Sequence, residues 1–229
     1  MERKKDKNQV SREGKIYKIK VILLYFILIM GGVWYHLELF DEISQIIAGY
    51  LMILIGILSI FEVFKNETLN NKIAFFSISL FIIVFSWLIE LIGVKTGLIF
   101  GKYEYGNILQ PQLFGTPIPI GFAWISTMLG SYSIAELILR KQRNNVVLLL
   151  AVAVLMTFFD YLMEPAAIEL GYWAWESGTI PIQNYLAWFV LGLLFAFLFS
   201  TQKIGLTNTK LLKHIYISQL IYFSIIYLK

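Results

Sequence analysis

Residues Phe159–Trp188 read FDYLMEPAAIELGYWAWESGTIPIQNYLAW. The stretch begins inside an apolar run and leaves it through two carboxyls, Asp160 and Glu164. Being four apart, they share one face of a helix. After Pro165 come Gly171-Tyr-Trp-Ala-Trp and Gly178, and a second apolar run opens at Asn184. Ionisable groups at the end of a hydrophobic helix are costly in a membrane, which makes them functional candidates.

An earlier stretch echoes this one. Residues 87–124 read WLIELIGVKTGLIFGKYEYGNILQPQLFGTPIPIGFAW. Glu90 lies eleven residues before Gly101, as Asp160 lies eleven before Gly171. The aromatic pair Tyr103 and Tyr105 matches Trp173 and Trp175 in spacing. Pro117 precedes Trp124 by seven, as Pro181 precedes Trp188. The pattern predicts an internal repeat of helix, aromatic loop and helix, with Glu90 and Asp160 in equivalent positions. Membrane proteins often place sites between such repeats.

Of the 229 residues 58% are apolar and the mean hydropathy is +0.71, too high for a soluble domain. Apolar runs fall at about 19–36, 44–64, 73–93, 117–139, 146–166, 184–201 and 211–228. Each is of the length that spans a bilayer, and a helix satisfies its own backbone there. The expectation is an all-α, polytopic integral membrane protein of about seven transmembrane helices, forming one membrane domain over 1–229. Its catalytic core is expected at 85–190, with a parallel repeat of helices 3–4 and 5–6. Cysteine is absent, which excludes disulfides and thiolate chemistry, and His36 and His214 fall near opposite ends of spans. No metal or other cofactor is expected.

Charge sets an expected orientation. Residues 1–18 form a basic segment, read as cytoplasmic. The apolar run behind it ends in Trp34-Tyr-His rather than at a small-residue cleavage site, so it reads as an uncleaved first span. With the N-terminus inside, sixteen of the nineteen Lys and Arg fall on inner segments, and only Lys95, Lys102 and Lys229 fall outside. This places the protein in the cytoplasmic (inner) membrane with its C-terminus outside. Both aromatic loops then lie on the outer side, and the net charge of +4 reads as topology rather than as affinity for nucleic acid.

The stretches 90–105, Gly115-Thr-Pro-Ile-Pro before Trp124, and Asp160 through Trp188 resemble the membrane family of carotenoid 1,2-hydratases and bisanhydrobacterioruberin hydratases. The resemblance covers roughly 85–190. It implies addition of water to the terminal isopropylidene double bond of a long acyclic carotenoid, without a cofactor. Other enzymes of the same pathway are possible partners.

The residues suit that chemistry. An unactivated alkene must be protonated first, and a carboxyl in an apolar site is the group that keeps a proton for it. Asp160, the deeper of its pair, is the expected donor, with Glu90 or Glu164 as a second carboxyl to receive a proton from water, and Glu104 is a further catalytic candidate. Aromatic faces stabilise the resulting tertiary cation. The expected substrate contacts are Tyr103, Tyr105, Trp124, Trp173, Trp175, Asn184 and Trp188, with an N-cap as the alternative role for Asn184.

Other functions stay open at this level. A carotene cyclase shares the opening protonation and ends in proton loss. A transporter or a non-catalytic assembly partner is a further alternative. A retinal photoreceptor is excluded, because the middle of the last run, HIYISQLIYFSIIY, has no lysine.

Overall fold

A computed structural model describes the backbone of residues 2–65, 72–139, 145–201, 206 and 209–228, and the side chains from residue 14 on. Arg140, Lys141, Arg143, Lys203, Lys229 and Glu67 lie outside the described residues, as do the side chains of the first thirteen.

Seven helices appear among the described residues: α1 (Glu2–His36), α2 (Asp41–Phe64), α3 (Lys72–Thr96), α4 (Pro119–Ile138), α5 (Asn145–Glu169), α6 (Ile182–Ser200) and α7 (Lys210–Tyr227). Each corresponds to one apolar run of the sequence. The chain is an all-α, multi-pass membrane protein. Five of the helices (α1, α2, α3, α5 and α6) are long and apolar enough to cross a bilayer. The seven expected helices are all present among the described residues, and α4 and α7 differ in kind from these five.

α4 is the hub. It packs against α2, α3, α5 and α7, and most of its length is buried. A helix with little lipid contact has no need of a greasy surface, so Ser126, Thr127, Gly130, Ser131 and Ser133 are tolerated along it. Small residues also allow close approach between helices. A Cβ on Gly121 would lie 2.5 Å from the Ile83 carbonyl oxygen, and one on Gly130 would lie 2.8 Å from Tyr216 Cβ. α7 is the shortest helix, and Lys210, Lys213 and His214 occupy its first turns. The outer helices instead turn Ile22, Phe26, Ile73, Leu186 and Val190 outward. Such a surface is at rest only in lipid.

The loops are more ordered than a purely helical reading expects. Strand β1 (Tyr103–Tyr105) pairs antiparallel with β4 (Trp173–Trp175), and β2 (Gln112–Leu113) pairs with β3 (Thr116–Pro117). In the first ribbon Tyr103 faces Trp175, Glu104 faces Ala174 and Tyr105 faces Trp173. The two aromatic loops are therefore joined to each other, capping the bundle at the ends of α3 and α5. A Cβ on Gly106 would lie 2.3 Å from the Gly171 carbonyl oxygen, so the backbones meet there as only glycine permits.

A buried carboxyl cluster under an aromatic ribbon

Helix α3 ends at Thr96 and turns off through Gly97 (φ +67°); α5 ends at Glu169 and turns off through Gly171 (φ +68°). Glycine takes this left-handed conformation without strain. Measured from these two glycines, Glu90 and Glu164 are each seven residues back. They are the matched pair, which corrects the expected match of Glu90 with Asp160. The first loop carries four extra residues between its glycine turn and its strand, and that insertion shifts the sequence alignment by one helical turn. Asp160, eleven before Gly171, is matched in depth by Ser86, eleven before Gly97.

Hydrogen bonds follow the same pairing. Glu90 Oε2 accepts the Tyr103 hydroxyl at 2.5 Å and the Tyr105 hydroxyl at 2.8 Å, while Oε1 accepts the Trp124 indole N–H at 2.9 Å. Glu164 Oε2 accepts the indole N–H groups of Trp173 at 3.0 Å and Trp175 at 2.9 Å, while Oε1 accepts the Asn184 amide at 3.3 Å. Each glutamate thus ties its own helix to the strand above and to the helix that follows. Three donors on one carboxylate form a strong, charge-assisted cradle. Burial, and after it the Glu90 carboxylate, pushes the Tyr103 and Tyr105 phenols above the ordinary tyrosine range. They therefore remain donors.

Asp160 is held differently. Its Oδ2 accepts the Asn184 amide at 2.7 Å. Its Oδ1 is buried and has no hydrogen-bond partner among the described residues. Asp160 is 0% exposed, Glu164 3% and Glu90 6%. By helix rise Asp160 lies about 14 Å below the end of α5, well inside the apolar layer. Asn184 does not cap α6, since Pro181 takes that place and Asn184 is the third residue of the helix. Its side chain is turned inward to join Asp160 to Glu164.

These groups line one small cavity of about 40 Å³, room for about three waters. Its walls bring together Glu90, Asp160, Glu164, Tyr103, Tyr105, Trp124, Trp173, Trp175, Asn184 and Trp188. Trp124 and Trp188 stack directly on each other in its wall, ring centres 3.7 Å apart and planes 16° from parallel. Glu104 is not among the walls. Strand alternation puts Tyr103 and Tyr105 on the cavity side and Glu104 on the exposed side, which removes it from the expected carboxyl set. Glu176 is likewise exterior, in an exposed ion pair with Lys102 at 3.4 Å.

The walls also include Met52, Phe100, Ala123, Thr127, Phe159 and Met163, which the sequence did not single out. Phe159 and Met163 sit on the Asp160 face of α5, so helical spacing could have shown them. Nothing local marks Met52. Among the described residues no three Asp, Glu or His side chains are placed to hold a metal ion.

Comparison with known proteins fits this architecture. A family model described as carotenoid biosynthesis protein matches residues 47–228. The bisanhydrobacterioruberin hydratase of Haloarcula japonica is 31% identical over 121 residues, which is 51% of this chain and 41% of that protein. The chain thus matches less than half the length of that relative. No solved structure matches. The family match runs through both glutamate cradles, the ribbon that joins them and all the helices from α3 on, and on that extent the protein belongs to the carotenoid biosynthesis protein family.

Proposed function

We propose that the protein is a carotenoid hydratase, adding water to the terminal isopropylidene C=C of an acyclic polyene. The observation that carries this reading is Asp160 Oδ1, a buried carboxyl oxygen without a partner, on a residue that lines the cavity. A carboxyl oxygen left with no donor is where a transferable proton fits, whereas an oxygen cradled by N–H and O–H donors is an acceptor only.

The step balances without an oxidant or a reductant. Asp160 gives its proton to the less substituted alkene carbon. A C–H bond forms as the π bond breaks, leaving positive charge on the tertiary carbon. The indole and phenol faces around the cavity stabilise that charge. Water adds through oxygen, forming the C–O bond, and its proton goes to Glu164. Asn184, bonded to both carboxyls, keeps acid and base in register. Return of the proton from Glu164 to Asp160 through water closes the cycle. The net reaction is alkene plus water to tertiary alcohol. That the relative is named a hydratase adds support.

Pigment analysis after expression in a lycopene-making host tests this. A more polar mono- or dihydroxy pigment is expected. A ring-bearing pigment would convert the reading to a cyclase, in which the cation loses a proton. An unchanged pigment would reject catalysis in favour of transport or assembly.

We also propose that the N-terminus is cytoplasmic and the ribbon outside, on the strength of the basic inner segments. Reporter fusions after Asn144 and after Ser177 are expected to report opposite sides of the membrane. Equal signals would reject that topology.

A further inference from the structure

A second and larger cavity, about 360 Å³, lies between α1, α2 and α7. Nothing in the carboxyl chemistry uses it. On α2 it is lined by Ser44, Ala48, Leu51, Met52 and Ile55, one continuous helical face. Counting from Asp41, which also lines it, to Ile55, the cavity follows α2 for about 21 Å. It is therefore long rather than round.

Two features connect it to function. The first is Met52, which lines both this cavity and the carboxyl cavity. The rest of the partition includes an edge-to-face ring pair, Phe159 on the carboxyl side and Phe223 on the other, 5.9 Å apart. Methionine is the most adaptable of apolar side chains, so the wall can yield where Met52 stands. The second is the opening. α1 leans on α7 and barely touches α2. Ile27 of α1 and Ile47 of α2 line the cavity yet are 50% and 47% exposed, so the slot is not sealed between these two helices.

We infer that this cavity is the berth of the polyene chain, entered sideways from the bilayer between α1 and α2, with the reactive end passing Met52 into the carboxyl chamber. The inference rests on the hydratase reading of that chamber for the identity of the end group. The berth itself rests on the geometry. A long apolar chain fits a long slot that is apolar along Ala48, Leu51, Met52 and Ile55 and polar at its Asp41, Gln45 and Glu169 end, and a chamber of about 40 Å³ is too small for anything but the end of such a molecule.

Ala48→Phe fills the slot from the α2 wall. Gly31→Leu fills it from the α1 wall, where a Cβ would meet nothing closer than Tyr222 at 3.6 Å. Ile73→Phe, on the lipid face of α3, is the control. Purified protein in liposomes is given lycopene, or a ten-carbon alkene with the same isopropylidene end. Bound lycopene per protein is read by visible absorbance, and hydration by product analysis. Both slot variants are expected to bind at least tenfold less lycopene than Ile73→Phe. The ratio of lycopene to short-alkene turnover is expected to fall at least tenfold. Unchanged lycopene binding in both folded variants would overturn the berth, as would a slot filled by phospholipid that lycopene does not displace. If the wild type hydrates neither compound, the hydratase reading fails, and the binding comparison alone still decides the berth. If both slot variants unfold, Ala48→Leu and Gly31→Ala replace them, with at least threefold weaker binding expected and unchanged binding again overturning the berth.

Discussion

Asp160→Asn is expected to lower turnover by about 10²–10⁴-fold, equivalent to about 3–5 kcal/mol of barrier. The amide keeps the shape of the side chain and one of its oxygens, and it removes the transferable proton. Asn184 can still bond to it, so the fold is expected to hold. Glu104→Gln, on the exposed face of β1, is expected to change turnover less than about twofold, within the usual tolerance of surface positions. Product formed per folded protein in membranes is the measurement. Near wild-type turnover in Asp160→Asn would move the acid to another carboxyl and reject the proposed donor.

Glu164→Gln is expected to be the second most damaging conservative change, at about 10²-fold in turnover. Its two indole partners can only donate, so the amide oxygen must stay with Trp173 and Trp175. The new NH₂ then faces the Asn184 amide, donor against donor. Asn184 must flip, and Asp160 loses the donor that holds Oδ2. A buried group left unpaired costs about 1–3 kcal/mol of stability. Glu90→Gln is the informative contrast. The amide oxygen can keep the Trp124 N–H, and the tyrosine hydroxyls can rotate to accept from the NH₂. Thermal stability and turnover are therefore expected to fall less in Glu90→Gln than in Glu164→Gln. The reverse order would place the proton acceptor on α3.

The helices were legible because membrane runs announce themselves by length and composition. Most of the carboxyl chamber was legible too, because charged and aromatic residues at the ends of apolar runs have few ordinary reasons to be there. The register was not. Aligning the loops by their aromatics matched Glu90 to Asp160, whereas the helix ends match Glu90 to Glu164. Only the positive-φ turns at Gly97 and Gly171 reveal the four-residue insertion. The ribbon was hidden because its three-residue strands come from segments 70 positions apart and leave no local pattern of pairing. The exposure of Glu104 was readable in principle, since Tyr-Glu-Tyr alternates as a one-sided strand does. Met52 was beyond reach, an ordinary apolar residue in an ordinary span whose position matters only through packing.

In the ribbon Tyr103 and Tyr105 lie crossed against Trp175 and Trp173, with Glu104 opposite Ala174 at the centre. Two copies of one segment meeting about a dyad would pair in this way. Separate copies, however, would have to carry the same residues, and any acid would be present twice. Joined in one chain, the halves are free to differ, and they do so at the depth that counts, with Asp160 on one side and Ser86 on the other. On the proposed reading, a polyene with a reactive group at each end meets a single acid per visit. It must leave, turn end for end in the bilayer and return before its second end can react. The half-converted pigment is then a free lipid-phase species between two encounters, available to whatever else in the membrane can take it.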